Sequence, residues 1–289
     1  MGKGNKVYFK RVAVLGVGLI GASTALAMRE QKLYGEIIGF GRKEENLARA
    51  KERGIIDDYR KSAAAAVEGA DLVILATPVG ILAGFAGEIG PALMKGSIVT
   101  DVGSVKGALV SELESLMPEE VHFIGSHPIA GSDKSGIDDA RGNLFTGARC
   151  IVTPTARSDR QALEKVVSMW EATGAVVECM DAFRHDEIFA LVSHMPHMVA
   201  YALVNAVEAV DPGCVTYSGG GFRDTTRIAA SSPELWRDIA LMNRDNLLRV
   251  LAAFRASMSE IERCLEENDG DGIEKEFSRA QKLRMSIDK

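Results

Sequence analysis

Residues 16–21 read Gly16-Val17-Gly18-Leu19-Ile20-Gly21 and match the pattern G-x-G-x-x-G. The apolar run Val12 to Leu15 precedes them, and the stretch from Ala22 to Arg29 is typical of a helix. In such a strand–turn–helix the first glycine permits the tight turn, the second lets the backbone approach a pyrophosphate, and the third lets helix and strand pack closely. The helix N-terminus then offers free N–H groups to the phosphates. The sequence therefore predicts a dinucleotide-binding turn, with a ligand-free glycine turn as the alternative; the predicted contacts are Gly16, Gly18, Leu19, Ile20 and Gly21.

Short apolar runs alternate with helical stretches over the first 180 residues. Such alternation predicts parallel strands with helices on both faces of the sheet, which is the doubly wound α/β fold of the Rossmann type. The predicted strands after the first are Ile37–Phe40, Leu72–Ala76, Ile98–Val102, His122–Gly125, Cys150–Thr153 and Ala175–Cys179.

The pattern changes after Asp181, where long segments with helical periodicity replace the short apolar runs. These segments are Glu187–Val210, Pro233 to about Glu267, and Ile273–Met285. Ser232 is suited to cap the second of them, since serine is a favoured N-cap residue and proline a favoured first helical residue. We therefore predict two domains, a dinucleotide-binding domain over 1–181 and an all-α domain over 182–289.

Composition narrows the class of protein. With 46% hydrophobic and 26% charged residues in 289, the chain is expected to fold into globular domains. The net charge of -6, with no basic block, argues against nucleic acid as a partner. No apolar run approaches the roughly 18 residues of a membrane span. Widely spaced cysteines and no secretory signal predict reduced thiols in the cytoplasm.

The residues after the second predicted strand bear on which cofactor is preferred. An NAD site usually has an acidic residue there to bind the ribose 2′-hydroxyl. Here Gly41 is followed by Arg42 and Lys43, which suits the 2′-phosphate of NADP, although Glu44 or Glu45 could serve the ribose of NAD instead. NADP is thus favoured over NAD. We also assign to the cofactor site Thr77, Pro78 and Ser104.

His127 and Ser104 are the candidate catalytic residues, and both follow predicted strands. The carboxyl edge of an open parallel sheet is where ligands bind. Histidine titrates near neutral pH and is the commonest general base, and loss of hydride from a carbon bearing a hydroxyl needs a base for the hydroxyl proton. A loop histidine bonded to a backbone carbonyl is the alternative for His127. Ser104 is suited to bond the histidine or the substrate, or to cap a helix.

Two pairs in the second half are candidates for substrate binding. His194 and His197 are three residues apart on one helix face, with Pro196 between them expected to kink the helix. The alternative is that both histidines lie in the core with their hydrogen bonds satisfied. A zinc site is disfavoured because no further ligand lies at a useful spacing. Arg223 and Arg227 also share a face and suit a dicarboxylate, unless they are simply exposed.

Four segments together resemble the prephenate/arogenate dehydrogenases, from about Val12 to the 250s. They begin at Asp101 (D-V-G-S-V-K), Gly125 (G-S-H-P-I-A-G-S), Ser193 (S-H-M-P-H) and Gly220 (G-G-F-R-D-T-T-R). The H-P-I-A-G and S-H-x-P-H stretches are specific to that family, whereas the glycine loop is not. The resemblance implies NAD(P)-dependent oxidative decarboxylation of prephenate or arogenate on the route to tyrosine, by a homodimer paired through its helical domains.

The resemblance also implies roles for single residues. His127 matches the histidine that polarises the ring hydroxyl, and Ser104 the serine that supports it. Arg227 matches the arginine that binds the ring carboxylate, and Arg223 a position that often holds lysine or arginine. The other substrate contacts are His194, His197, Trp236, which matches an aromatic able to reach the neighbouring subunit's site, and Asp133, which meets the ammonium of arogenate or orders its loop.

Two departures from the family pattern and two rival interpretations remain. Gly41 replaces the family's usual acidic residue, and the chain ends soon after its last predicted helix, so feedback by tyrosine is expected to act at the active site. A dehydrogenase of the 3-hydroxyacid or 6-phosphogluconate type would carry a lysine on the long helix, but residues 187–210 contain none. A non-catalytic NADP-binding sensor would show damage at His127, Ser104 or Arg227.

Overall fold

The computed structural model describes residues 7–130 and 136–287, and its centre is an eight-stranded sheet of order β3-β2-β1-β4-β5-β6-β7-β8. Strands β1 to β6 run parallel to one another. The strands are β1 (Phe9–Leu15), β2 (Tyr34–Phe40), β3 (Asp58–Tyr59), β4 (Leu72–Leu75), β5 (Ile98–Asp101), β6 (His122–Pro128), β7 (Arg149–Thr153) and β8 (Val176–Cys179).

Helices cover both faces of this sheet, because alternate residues of each buried strand point to opposite sides. Val12 and Val14 of β1 belong to one core, whereas Ala13 and Leu15 belong to the other. The predicted doubly wound fold is thereby confirmed. Its helices are α1 (Leu19–Glu30), α2 (Glu44–Glu52), α3 (Ala63–Val67), α4 (Leu82–Ile89), α5 (Gly107–Leu116) and α6 (Arg160–Ala172).

One strand departs from the predicted parallel order. β7 runs antiparallel to β6, with His127 opposite Ile151, and β8 is then parallel to β7. Parallel neighbours need a crossover connection, usually a helix. The described part of the β6–β7 connection holds only a short 3₁₀ turn, Ile137–Asp139, so the chain re-enters the sheet from the edge that it has just left.

The second half is helical throughout its described part, residues 182–287. Ser232 caps its helix by accepting a hydrogen bond from the N–H of Leu235, as predicted. The predicted long segment after Pro233 is two helices, since Asn243 interrupts it. The helices are α7 (Ala182–Phe189), α8 (Met195–Val210), α9 (Gly220–Thr226), α10 (Pro233–Met242), α11 (Arg244–Glu266) and α12 (Gly270–Ile287).

A five-residue π-helical turn, Ala190–His194, joins α7 to α8. Pro196 is the second residue after it and has no N–H for the carbonyl four residues earlier. A π turn is one way for a helix to accommodate a local break in its hydrogen bonding. Such turns are frequent at functional sites. The irregularity expected from Pro196 is therefore a π turn that ends at His194.

The continuous helix Ala182–Val210 corrects the expectation that no apolar segment reaches the length of a membrane span. Its 29 residues include an 18-residue window with a mean hydropathy of 1.3, of which 22% is buried in the chain. Length and composition alone would let it cross a membrane. A soluble helix that packs in a core or an interface has the same properties, and this one carries His185, Asp186 and His194, all buried.

Candidate active site

A cavity of about 320 Å³ lies at the carboxyl ends of β1, β2 and β4. This is the edge where an open parallel sheet binds ligands. Six predicted cofactor contacts line it: Gly16, Gly18, Arg42, Lys43, Thr77 and Pro78. Gly41 also lines it, together with residues that were not predicted from the sequence, namely Val17, Phe40, Asn46, Leu47, Ala76, Ile81 and Phe85.

The three glycines of the turn differ in what a side chain at each position would meet. Gly16 has φ +104°, and a Cβ there would lie 2.4 Å from the backbone oxygen of Ala76. A Cβ on Gly21 would lie 2.1 Å from the oxygen of Gly16, so helix and turn pack directly against each other. A Cβ on Gly18 would meet nothing within 4 Å, because this residue faces open space.

These features fit a dinucleotide. Leu19 and Ile20 do not line the cavity, but they open α1 and contribute N–H groups at its N-terminus. Thr77 Oγ1 is buried and has no hydrogen-bond partner in the described part of the chain. An orphaned hydroxyl beside an open glycine and a helix N-terminus suits the ribose and pyrophosphate of NAD(P).

The charge of the cavity is positive. Arg42 and Lys43 are exposed, and no described residue forms an ion pair with either side chain. None of the described residues that line the cavity is Asp or Glu. Glu44 is directed elsewhere, since its Oε1 accepts a hydrogen bond of 3.4 Å from the hydroxyl of Tyr59.

His127 lies near the end of β6 and is held through one ring nitrogen. Its Nδ1 is 2.8 Å from Nε2 of His185, and Nδ1 of His185 is 2.8 Å from Oδ1 of Asp186. Burial lowers the pKa of His127 well below its ordinary value, and the nearby His185, Lys106 and His194 lower it further. His127 is therefore neutral at physiological pH, as a general base must be before it reacts.

A buried ion pair lies beside this histidine. Lys106 and Asp101 are both fully buried and paired through Nζ and Oδ2. Asp101 also accepts hydrogen bonds from the N–H groups of Gly103 and Ser126, so its carboxylate ties the end of β5 to β6. The pair places a compensated positive charge within reach of His127.

His194 lies at the end of the π turn and is fully buried. Its Nδ1 is 3.0 Å from Nδ2 of Asn243, while its Nε2 has no hydrogen-bond partner among the described residues. Burial lowers the pKa of His194 to about 4, against the opposing influence of Asp186 and of the Ser104 backbone. A neutral buried imidazole with one unpaired nitrogen is suited to bind a polar ligand group.

The ring of Trp236 contacts both His194 and His197. Its ring stacks on His197 with centroids 3.5 Å apart, and it meets His194 edge-on at 6.0 Å. His197 Nδ1 lies 2.9 Å from the carbonyl oxygen of Ser193. Trp236 is 8% exposed, so most of its ring is covered by residues of its own chain.

The remaining predicted residues are placed less centrally. Ser104 does not cap α5, which begins at Gly107 without a side-chain cap; the Ser104 backbone instead approaches His194. Arg223 is exposed on α9, its Nε 3.4 Å from Ser218 Oγ. Arg227 is also exposed and begins the 3₁₀ turn after α9, so the predicted helix ends just before it. Asp133 lies outside the described residues.

His185, Asp186 and Asn243, the polar residues that bond the two buried histidines, were not predicted from the sequence. The adjacent His-Asp pair just after the predicted domain boundary was a usable signal, since buried charge demands a partner. Nothing in the sequence marked Asn243, because the helical apolar periodicity continues on both sides of it. Among the residues described, no three His, Cys, Asp or Glu side chains form a cluster suited to a metal ion.

Comparison with known proteins decides the family. The model of the prephenate dehydrogenase nucleotide-binding domain matches residues 24–179, and that of the prephenate dehydrogenase dimerization domain matches residues 181–279. The chain belongs to the prephenate dehydrogenase family. This membership confirms the predicted family over the 3-hydroxyacid or 6-phosphogluconate type.

Individual members of the prephenate dehydrogenase family match nearly the whole chain. A cyclohexadienyl dehydrogenase of Zymomonas mobilis is 36% identical, with 96% of each chain covered. A crystal structure of the Aquifex aeolicus prephenate dehydrogenase with hydroxyphenyl propionate and NAD+ superposes with a TM-score of 0.91 at 35% identity, covering 98% of this chain and all of that one. The Synechocystis arogenate dehydrogenase follows with a TM-score of 0.80 at 30% identity, covering 96% and 99%.

Proposed function

We propose that this protein oxidises and decarboxylates prephenate or arogenate with NAD(P), giving 4-hydroxyphenylpyruvate or tyrosine. The observation that carries the proposal is the setting of His127. Its ring is buried, neutral and fixed through Nδ1, and it lies at the same carboxyl edge of the sheet as the dinucleotide cavity. His127 takes the proton of the ring hydroxyl through Nε2 as general base. When bound, the nicotinamide accepts the hydride from the same carbon.

The substrate contacts follow the same arrangement. We assign the unpaired Nε2 of His194 to a polar group of the substrate, and the stacked rings of His197 and Trp236 to a wall of its pocket. Arginine suits carboxylates because its fork binds two oxygens at once. The proposal therefore retains Arg227 and Arg223 for the carboxylates, together with Ser104 for the hydroxyl region and Asp133 for the active-site loop.

A preference for NADP over NAD is the second part of the proposal. The support is the cavity itself, where Arg42 and Lys43 form no ion pair with a described residue and none of the described lining residues is a carboxylate that could bind a ribose 2′-hydroxyl. Replacing Arg42 by glutamine should raise the Kd for NADP about tenfold and leave the Kd for NAD unchanged. Lys61→Gln, which removes an exposed cation that does not line the cavity, is the matched control.

We further propose a homodimer built through the helical domain, with the domain boundary at Asp181. Large apolar side chains such as Val192 (67%) and Leu248 (53%) are exposed on the helices of residues 182–287, which supports burial against a second copy. Asp181 caps α7 by accepting from the N–H groups of Phe183 and Arg184. Tyrosine is proposed to inhibit by competing with substrate, and the four free cysteines suit the cytoplasm.

Reduction of the nicotinamide at 340 nm tests this proposal directly. The purified protein is assayed with prephenate and with arogenate, each with NAD and with NADP. Turnover of either substrate is expected, faster with NADP at low cofactor concentration. A folded sample that binds the cofactor and turns over neither substrate would refute the activity.

A further inference from the structure

Three buried side chains form a chain of hydrogen bonds behind the proposed base. His127 comes from β6, and His185 and Asp186 come from α7; the exposed fractions are 9%, 0% and 4%. The ring centroids of the two histidines are 5.1 Å apart with an interplanar angle of 61°. Phe189 stacks on His185 at 4.4 Å and also contacts His127 at 5.0 Å, so apolar packing fixes both rings.

The carboxylate of Asp186, at the end of this series of hydrogen bonds, determines which nitrogen of each histidine carries a proton. An ionised carboxylate only accepts, and Oδ1 of Asp186 accepts from Nδ1 of His185 as well as from the backbone N–H of Lys106 at 2.8 Å. A neutral imidazole carries one N–H, so His185 has its lone pair on Nε2. His127 must then donate from Nδ1 to that atom, and its own lone pair lies on Nε2.

We propose that His185 and Asp186 are positioning residues that hold His127 in the one tautomer able to accept the hydroxyl proton at Nε2. The inference rests on the proposed function for its kinetic consequence, but not for the tautomer. When Nε2 of His127 takes the proton, the O–H bond of the substrate breaks and an N–H bond forms. The proton on Nδ1 is then free to shift to Nε2 of His185, which moves the positive charge closer to Asp186.

The charges around the pair favour this arrangement. Burial of the ring lowers the pKa of His127, the nearby His185, Lys106 and His194 lower it further, and Asp101 pairs with Lys106. Burial also lowers the pKa of His185, but the hydrogen bond and charge of Asp186 act in the opposite direction. The carboxylate therefore stabilises positive charge at the inner histidine, away from the substrate.

Asparagine and leucine at position 186 test this order. Oδ1 of Asp186 accepts from both the Lys106 N–H and Nδ1 of His185, so the amide oxygen of Asp186→Asn takes the same place and keeps the order, whereas Asp186→Leu offers no acceptor. Without an acceptor, the proton of His185 is no longer confined to Nδ1. The kcat of Asp186→Leu is expected to fall at least about 100-fold, and that of Asp186→Asn at least about tenfold less, with KM and the Kd for the cofactor changed less than about threefold in both. The ¹⁵N shifts of the His127 ring should keep the Nδ1–H pattern in Asp186→Asn and gain an Nε2–H component in Asp186→Leu.

A pair of variants at His185 separates positioning from packing. The carbonyl oxygen of glutamine in His185→Gln is able to accept from Nδ1 of His127, whereas leucine in His185→Leu is not. The glutamine variant should retain at least about tenfold more kcat than the leucine variant. The His185 pair keeps the test decisive if Asp186→Leu fails to fold.

The ¹⁵N measurement on the unmodified enzyme needs no substrate. A Nδ1–H tautomer of His127 in an enzyme without prephenate or arogenate turnover would refute the proposed function and leave the positioning intact. A Nε2–H tautomer in the unmodified enzyme, equal kcat for the two His185 variants, or Asp186→Leu with kcat within threefold of the unmodified enzyme would overturn the positioning role.

Discussion

Asn243 fixes the orientation and the tautomer of His194. Its Nδ2 lies 2.8 Å from the carbonyl oxygen of Asp186 and 3.0 Å from Nδ1 of His194, and its Oδ1 accepts from Asn246. Because a carbonyl only accepts, the amide nitrogen must be the atom that faces His194. His194 then accepts through Nδ1 and carries its proton on the buried Nε2, where it is available to a substrate oxygen.

Asn243→Asp should weaken substrate binding. A carboxylate would accept a proton from Nδ1 of His194, so that Nε2 of His194 becomes an acceptor and loses its bond to the substrate. Loss of one such hydrogen bond is worth about 1.4 kcal/mol, or about tenfold in KM, with the Kd for the cofactor unchanged. Asn246→Ala removes a bond to the same amide without touching His194, and an equal rise in KM for both variants would count against the assignment.

Two alanine substitutions in the glycine turn should have opposite effects. In Gly18→Ala the new methyl meets no protein atom within 4 Å and projects towards the place of the pyrophosphate. We expect unchanged stability and a Kd for the cofactor at least about tenfold higher. In Gly21→Ala the methyl would lie 2.1 Å from the oxygen of Gly16, and the free energy of unfolding should fall by about 1–3 kcal/mol. Urea unfolding and cofactor titration of both variants check this contrast.

Gly41→Asp should move cofactor preference towards NAD. The added Cβ would make an ordinary contact of 3.6 Å with Cδ2 of Leu47, and the backbone there does not need glycine. The carboxylate would bond the ribose 2′-hydroxyl of NAD and repel the 2′-phosphate of NADP. The ratio of kcat/KM for NADP to that for NAD should fall at least about tenfold; an unchanged ratio would place the ribose elsewhere.

Stability should decrease in acid because of His194. Its pKa is lowered to about 4 in the folded chain, against about 6.5 when unfolded, so between these values the unfolded state binds more protons. The free energy of unfolding therefore falls as the pH drops below 6.5, by about 2 kcal/mol at pH 5 from this residue. Urea unfolding at pH 7 and pH 5 should show a smaller loss for His194→Gln, and an identical loss would disprove the assignment.

Much of the fold could be predicted because its determinants are local. The glycines of residues 16–21 act through steric contacts within one turn, and the buried strands are recognised as short runs of apolar residues. The direction of β7 could not be predicted, since it depends on the path of the β6–β7 connection rather than on the residues of the strand. Asn243 interrupts a segment whose apolar period continues on both sides, so only the folded chain reveals the break.

The site residues that lie within sequence motifs could be predicted. His127 and His194 stood out within specific stretches, but their partners did not, because His185 and Asn243 meet them only after α7 and α11 pack against the sheet domain and the π turn. The same limit applies to Ser104. Its position before a helical stretch suggested a cap, whereas α5 begins three residues later, at Gly107.

The most direct test of the account is the kcat of His127→Asn, measured at 340 nm with the preferred substrate and cofactor. His122→Asn is the matched control, since it changes the same residue type at the other end of β6. We predict a fall of at least about 100-fold for His127→Asn with the Kd for the cofactor unchanged, and a change of less than about twofold for His122→Asn. A His127→Asn enzyme with kcat within about threefold of the unmodified protein would contradict the role of His127 as the base.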